Sequence, residues 1–248
     1  MLAKRIIPTL LYRGDTLVKG KQFNSWRSVG NVQQAARIYA QRGVDELIIL
    51  DIGATSEGRG PNLELISRIC QDNFCPITVG GGVRTVEDVR DLLMAGADKV
   101  AICTALLDGI GFTLLSACAR KYGNQAIVAS VDVKENEIYS NCGEKSWGPV
   151  VVPWCNGLEE CGAGEILLTS IEREGMMNGY DLDLVRAVSS NVSIPVIAHG
   201  GCGSYQDMAD AIEAGASAVA AGSLFQFTDE TPKGAAEYLS KKGYEVRV

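Results

Sequence analysis

Gly43-Val44-Asp45-Glu46-Leu47-Ile48-Ile49-Leu50-Asp51 returns later in the chain as Gly162-Ala163-Gly164-Glu165-Ile166-Leu167-Leu168-Thr169-Ser170. Val79-Gly80-Gly81-Gly82 returns as His199-Gly200-Gly201-Cys202, and Gly96-Ala97-Asp98-Lys99-Val100 as Gly215-Ala216-Ser217-Ala218-Val219. The three spacings are 119, 120 and 119 residues. A period this long is not that of a solenoid. It is close to half of the 248-residue chain, so the sequence reads as two related halves of one fold, residues 1–122 and 123–248. Each half carries its own glycine-rich loop, which suggests a ligand with an anion at each end.

Outward from the repeat, short apolar runs alternate with longer amphipathic ones. Strands are expected at residues 5–11, 46–52, 77–80, 99–103, 126–132, 165–170, 195–199 and 218–221. Residues 32–42, 86–95, 182–189 and 205–214 space their apolar positions by three and four, the helical period. Several expected helices end at a glycine, Gly43, Gly96, Gly123 and Gly215, which tolerates the left-handed cap conformation. Apolar strands that each lead into a helix indicate a parallel sheet covered on its outside. Eight such units in a chain of this length give an α/β fold, the (β/α)8 TIM barrel, as one domain of two half-barrels. A doubly wound sheet would need a Gly-x-Gly-x-x-Gly turn after the first strand, and the sequence has none. Two segments that follow strands, 12–30 and 135–153, are unusually long and are expected as functional loops.

Composition narrows the function. A net charge of −7 argues against a broad basic surface for nucleic acid. There is no apolar run of membrane length, and the opening Met1-Leu2-Ala3-Lys4-Arg5-Ile6-Ile7-Pro8 passes from two cations straight into a strand, so a cytoplasmic protein is expected. Eight cysteines and one histidine match no metal spacing, and neither a metal nor a cofactor is expected. A ligand set of Cys142, Cys155 and Cys161 is the one alternative; small buried thiols are the other reading.

A phosphate needs converging backbone N–H donors and no side chain in the way, and glycine before a helix supplies both. Gly81 and Gly82 in the first half, with Thr104 after the next strand, form one candidate site. Gly201 in the second half, with Gly222 and Ser223 after the last strand, forms the other. Glycines that merely make tight turns are the competing reading. Asp51 and Asp132 end strands at the face where barrel active sites lie, and either is a candidate acid or base. His199, the sole histidine, ends the seventh strand beside the second glycine loop; it is either a proton-transfer group or a structural one. Placed there, it is not free to serve a cysteine-histidine glutaminase triad, so this chain is not expected to release ammonia from glutamine itself.

The opening segment, Asp45-Glu46-Leu47, Thr78 to Gly82, Gly96 to Val100 and Gly162 to Ile171 together closely resemble the cyclase subunit of imidazole glycerol phosphate synthase, the HisF family, over essentially the whole chain to residues 238–248. The resemblance implies a duplicated half-barrel that binds a bis-phosphate or phosphosugar and takes ammonia from a HisH-like glutaminase docked on its lower face. Carried over by position, Gly82 and Thr104 would hold one phosphate, and Gly175, Gly201, Gly222 and Ser223 the other. Lys19 would lie on the mobile first loop. Arg5, Glu46, Lys99 and Glu165 would form the charged ring at the ammonia entrance, Asp98 a docking residue, and Thr78 part of the passage.

The departures from that pattern concentrate at the opposite end. The family uses two aspartates at the ends of strands one and five. Asp132 matches the second, whereas the first is Leu11, which cannot transfer a proton. Losing one member of an acid/base pair costs about 10²–10⁴-fold in rate. Asp15 lies four residues on, about 13 Å away along extended chain. Cys103 replaces an expected asparagine, His199 a serine, and Glu172-Arg173-Glu174-Gly175 an Asp-Arg-Asp-Gly run. Two readings follow. In the favoured one the chain resembles divergent family members that accompany sugar amidotransferases in surface-polysaccharide or glycan pathways, and passes ammonia on. In the other it is a working cyclase of histidine biosynthesis. A phosphosugar isomerase is the weaker third, since that chemistry also wants two carboxyl groups.

Overall fold

The computed structural model describes residues 3–247. Met1, Leu2 and Val248, which belong to the opening and closing segments of the resemblance, lie outside the described residues. Twelve strands are described: β1 (Arg5–Arg13), β2 (Thr16–Lys21), β3 (Asn24–Asn31), β4 (Leu47–Asp51), β5 (Ile77–Gly80), β6 (Lys99–Ile102), β7 (Ile127–Lys134), β8 (Glu137–Ser140), β9 (Lys145–Ser146), β10 (Glu165–Ser170), β11 (Val196–His199) and β12 (Ala218–Ala221). Eight of them pair in parallel in the order β1-β4-β5-β6-β7-β10-β11-β12, and β12 pairs back onto β1, so the sheet closes. Helices on the outside complete a (β/α)8 TIM barrel.

Alternation along each strand builds two cores. On β1, Ile6, Leu10 and Tyr12 face the surrounding helices, and Ile7 faces the bore. Ile7, Ile48, Ala101, Val128, Leu167, Ile197, Ala218 and Ala220 fill that bore. The inward face of each strand continues upward into a polar mouth and downward into a charged ring, so the apolar layer separates two chemistries.

The copies of the repeat fold alike. Gly81 and Gly201 have φ of +107° and +102°. A Cβ would lie 2.3 Å from the Asp51 carbonyl oxygen at the first and 2.2 Å from that of Gly179 at the second, so only glycine fits either turn. Each loop then enters a helix through a capping box, Thr85 with Asp88 before Val86–Met94 and Ser204 with Asp207 before Tyr205–Glu213.

Two expectations are corrected. Residues 12–30 and 135–153 are not open loops: β2 and β3 form a hairpin on the end of β1, and β8 and β9 form one on the end of β7. Pairing with these hairpins extends β1 to Arg13 and β7 to Lys134. Their reversals place Gln22, Phe23, Asn141 and Cys142 at positive φ, a conformation that no glycine or proline at those positions announced.

Candidate functional site at the barrel mouth

Register decides which side chains meet. The β7–β10 ladder pairs Asp132 with Thr169, and the β10–β11 ladder pairs Thr169 with His199. All three line one cavity of about 100 Å³ at the mouth, together with Cys103, Leu11, Leu50 and Ala101. Thr169 Oγ1 lies 3.1 Å from His199 Nδ1, and Thr169 stands beside Asp132 in register. Cys103 Sγ donates to Asp132 Oδ2 at 3.4 Å. Burial raises the Asp132 carboxyl to about 6. Burial, and then the nearby charge of Lys19, depress His199 to about 3, so its imidazole is neutral throughout the physiological range.

Leu11 is buried in the wall of this cavity, where the resemblance called for a carboxylate. Asp15 does not replace it: its carboxylate is 60% exposed and pairs with Arg68 at 3.6 Å. Asp51 also borders the cavity, but its oxygens are committed. Arg59 binds both, at 2.7 and 3.0 Å, and the Gly53 and Ala54 amides donate to Oδ1 at 3.0 and 3.1 Å. That geometry fixes the loop after β4.

The two glycine sites flank the cavity. Gly81, Gly82 and Thr104 border it on one side. The Asn141 amide donates to Thr104 Oγ1 at 3.1 Å, so the turn of the second hairpin rests on this site. On the other side Gly175, Gly201, Gly222 and Ser223 surround a small nest that also includes Lys19, Glu174 and His199. Lys19 is only 2% exposed, inside β2, which corrects its placement on a mobile loop. Its ammonium is 3.9 Å from Glu174 Oε1, and a Cβ on residue 222 would lie 2.0 Å from it. Glu174 Oε2 is buried without a hydrogen-bond partner, and burial raises that carboxyl. His199 forms the wall shared by the cavity and the nest.

Above the cavity, a cleft of about 840 Å³ runs between the hairpins. Phe23, Trp26, Ile52 and Cys142 border both spaces and form the floor between them.

At the other end of the bore the ring is complete. Arg5 binds Glu46 at 2.7 Å and Glu165 at 3.0 Å, and Lys99 binds the same two at 3.0 and 3.1 Å. Thr78 donates to Glu46 Oε1 at 2.6 Å. Asp98 is exposed beside the ring and accepts from the Ile77 amide at 2.8 Å. Among the described residues no group of three His, Cys, Asp or Glu side chains could hold a metal, so Cys142, Cys155 and Cys161 do not converge.

Sequence reasoning passed over Thr169, Arg59, Phe23 and Trp26. Thr169 was within reach: it stands four residues after Glu165 on one strand, hence on the same inward face. Arg59 and the two aromatics lie in irregular or hairpin segments, where no period assigns a direction.

A closed parallel barrel with a glycine nest on each side of a polar mouth cavity defines a TIM-barrel protein whose candidate site lies at the mouth. The chain belongs to the histidine biosynthesis protein family, which it matches over residues 5–231. Members of that family are usually enzymes of histidine biosynthesis, with the barrel of the HisA and HisF type. Among the described residues no helix is long and apolar enough to cross a membrane.

Proposed function

We propose that the chain is the HisF-like, ammonia-accepting subunit of a glutamine amidotransferase complex. A HisH-like glutaminase docks on the ring end around Asp98. Ammonia passes Thr78 and the bore, and nitrogen is handed on at the mouth, with a sugar precursor of a surface polysaccharide or glycan as acceptor and a sugar amidotransferase as the enzyme that consumes it. The carrying observation is a contrast between the two ends. All four ring residues are present and paired. At the mouth Leu11 stands in an apolar wall, so Asp132 has no second carboxylate free to share proton transfer.

The chain's own residues would act as follows. The nests hold the two phosphates of a bis-phosphate or phosphosugar through backbone amides, Thr104 and Ser223. Asp132, with a carboxyl near 6, exchanges a proton with a group in the cavity at neutral pH. Phe23 and Trp26 keep water out from above.

Purified protein given free ammonia and the cyclase substrate is expected to form no imidazole product above background. Turnover within a few tenfold of an ordinary cyclase would sink this reading. Association with a glutaminase is expected to be lost when Asp98 or Lys99 is reversed in charge, and unchanged association would count against lower-face docking. The second reading, a working cyclase of histidine biosynthesis, draws on one observation: Asp132, Thr169 and His199 stand side by side on adjacent strands, which offers a substitute for the missing carboxylate.

A further inference from the structure

Three adjacent strands carry Asp132, Thr169 and His199 at one level of the barrel, all facing inward. Thr169 is the middle member: its hydroxyl is 3.1 Å from His199 Nδ1, and on the other side it stands beside Asp132 as the register partner on the neighbouring strand. A hydroxyl can accept one proton while giving up its own, so it joins its neighbours rather than separating them. His199 Nδ1 is taken by Thr169, and among the described residues Nε2 has no hydrogen-bond partner. The ring borders both the cavity and the nest that contains Lys19, Gly201 and Gly222.

We propose that Asp132, Thr169 and His199 form a proton relay across the mouth, which carries a proton from the central cavity to a phosphate held in the second glycine nest. The relay rests on the reading of that nest as an anion site, and it does not depend on the ammonia pathway. In the forward step the Asp132 carboxyl gives its proton to Thr169 Oγ as the Thr169 hydroxyl gives its own to His199 Nδ1. Asp132 becomes a carboxylate and the imidazole an imidazolium. The imidazolium then releases its Nε2 proton to a phosphate dianion, which becomes the monoanion, and the ring is neutral again with its proton on Nδ1. The carboxylate is left ready to accept a proton from a group in the cavity.

The surroundings set the direction. Facing Asp132 are the Cys103 and Cys142 thiols, both held neutral because burial pushes them up. Facing His199 are the Lys19 ammonium, with Glu174 behind it, and the Cys202 thiol, pushed up to about 12. Without an anion, burial and then the Lys19 charge keep the imidazole neutral, and below about pH 6 the proton stays on Asp132. A phosphate in the nest offsets the Lys19 charge, and its own negative charge favours the imidazolium against the cost of burial, so His199 accepts the proton more readily. Thr169 and His199 act in this scheme as relay residues.

The chain has a single histidine, so its imidazole signals need no assignment. Long-range proton–nitrogen NMR of the full-length, nitrogen-labelled protein reads the tautomer directly, between pH 5 and 8, with and without inorganic phosphate. Without phosphate, His199 is expected as the neutral Nε2–H tautomer below about pH 6, where Asp132 is protonated, with its Nδ1 shift stepping near pH 6 as Asp132 becomes a carboxylate and the Thr169 hydroxyl turns towards it. Phosphate is expected to raise the His199 titration midpoint by at least one pH unit. The step should persist in Thr169→Ser and vanish in Thr169→Val and Asp132→Asn. Persistence in Thr169→Val or Asp132→Asn would overturn the relay. If Thr169→Val does not fold, Asp132→Asn and Thr169→Ser still decide. Phosphate that shifts the Gly201 and Gly222 amides but leaves the imidazole unmoved would also overturn it, with the nest intact. No shift at those amides would remove the nest and the relay together.

Discussion

Asp132 carries a cost that depends on pH. Its carboxyl is raised from 3.8 to about 6 in the folded chain, because burial disfavours the charge more than Cys103 and Thr169 favour it. The folded state therefore holds this proton more tightly than the unfolded state does. Stability falls as pH rises from about 4 to about 6, and the loss is complete above that window. A shift of this size corresponds to about 2–3 kcal/mol. Asp132→Asn has no such ionisation, so it is expected to match the parent near pH 4 and exceed it by about 2 kcal/mol at pH 7.5. Urea denaturation at the two pH values checks this, and an Asn variant no more stable at pH 7.5 would mean that the carboxylate is well solvated. The neighbouring Asp51 is buried too, yet its bidentate pair with Arg59 gives it an internal counter-charge, so no comparable gain is expected from Asp51→Asn.

At the scale of elements, the repeated loops and their helices behave as matched units. Asp88 accepts from the Arg84 and Thr85 amides, both at 2.9 Å, and Asp207 from the Gly203 and Ser204 amides at 2.8 and 2.9 Å. Each carboxylate thus fixes the end of a glycine loop as well as the start of a helix. Thr85→Ala and Ser204→Ala are each expected to cost about 1 kcal/mol. Under the proposed reading, each should weaken phosphate binding at its own nest and leave the other unchanged. Amide shift titrations at Gly82 and Gly201 separate the two, and equal loss at both nests in either variant would contradict local control.

These loops were legible in the sequence because glycine before a helix imposes a local geometry. The hairpins were not. β2 and β3 owe their pairing to the extended end of β1, a tertiary contact, and their turn puts Gln22 and Phe23 at positive φ without a glycine to signal it. The buried position of Lys19 was hidden for the same reason, since it follows from where the hairpin folds back. The pairing of Thr169 with both Asp132 and His199 required strand register, which period-2 counting gives within a strand but not between strands.

For the whole molecule, the barrel separates a charged lower end from a polar upper end by a dry layer. Within the lower ring the two carboxylates are held differently. The Glu46 side chain is 3% exposed and takes Arg5, Lys99 and the Thr78 hydroxyl, whereas that of Glu165 is 12% exposed and takes only the two cations. Replacing one partner of a buried ion pair costs about 3–5 kcal/mol, because it leaves opposite charge without compensation. Glu46→Gln is therefore expected to destabilise the fold by about 3 kcal/mol, and Glu165→Gln by distinctly less, since solvent already screens it. The ring also borders a cavity of about 550 Å³ on the lower face, so its charges stand at the entrance to the bore. If the ring served stability alone, a hydrophobic replacement such as Glu46→Leu combined with Lys99→Met would be tolerated without functional loss. If it admits ammonia, the same double variant should keep its unfolding free energy in urea to within about 1 kcal/mol. It should nonetheless lose glutamine-dependent nitrogen transfer in the glutaminase complex. Retention of that transfer at the parental rate would assign the ring to stability and leave the bore without a gate.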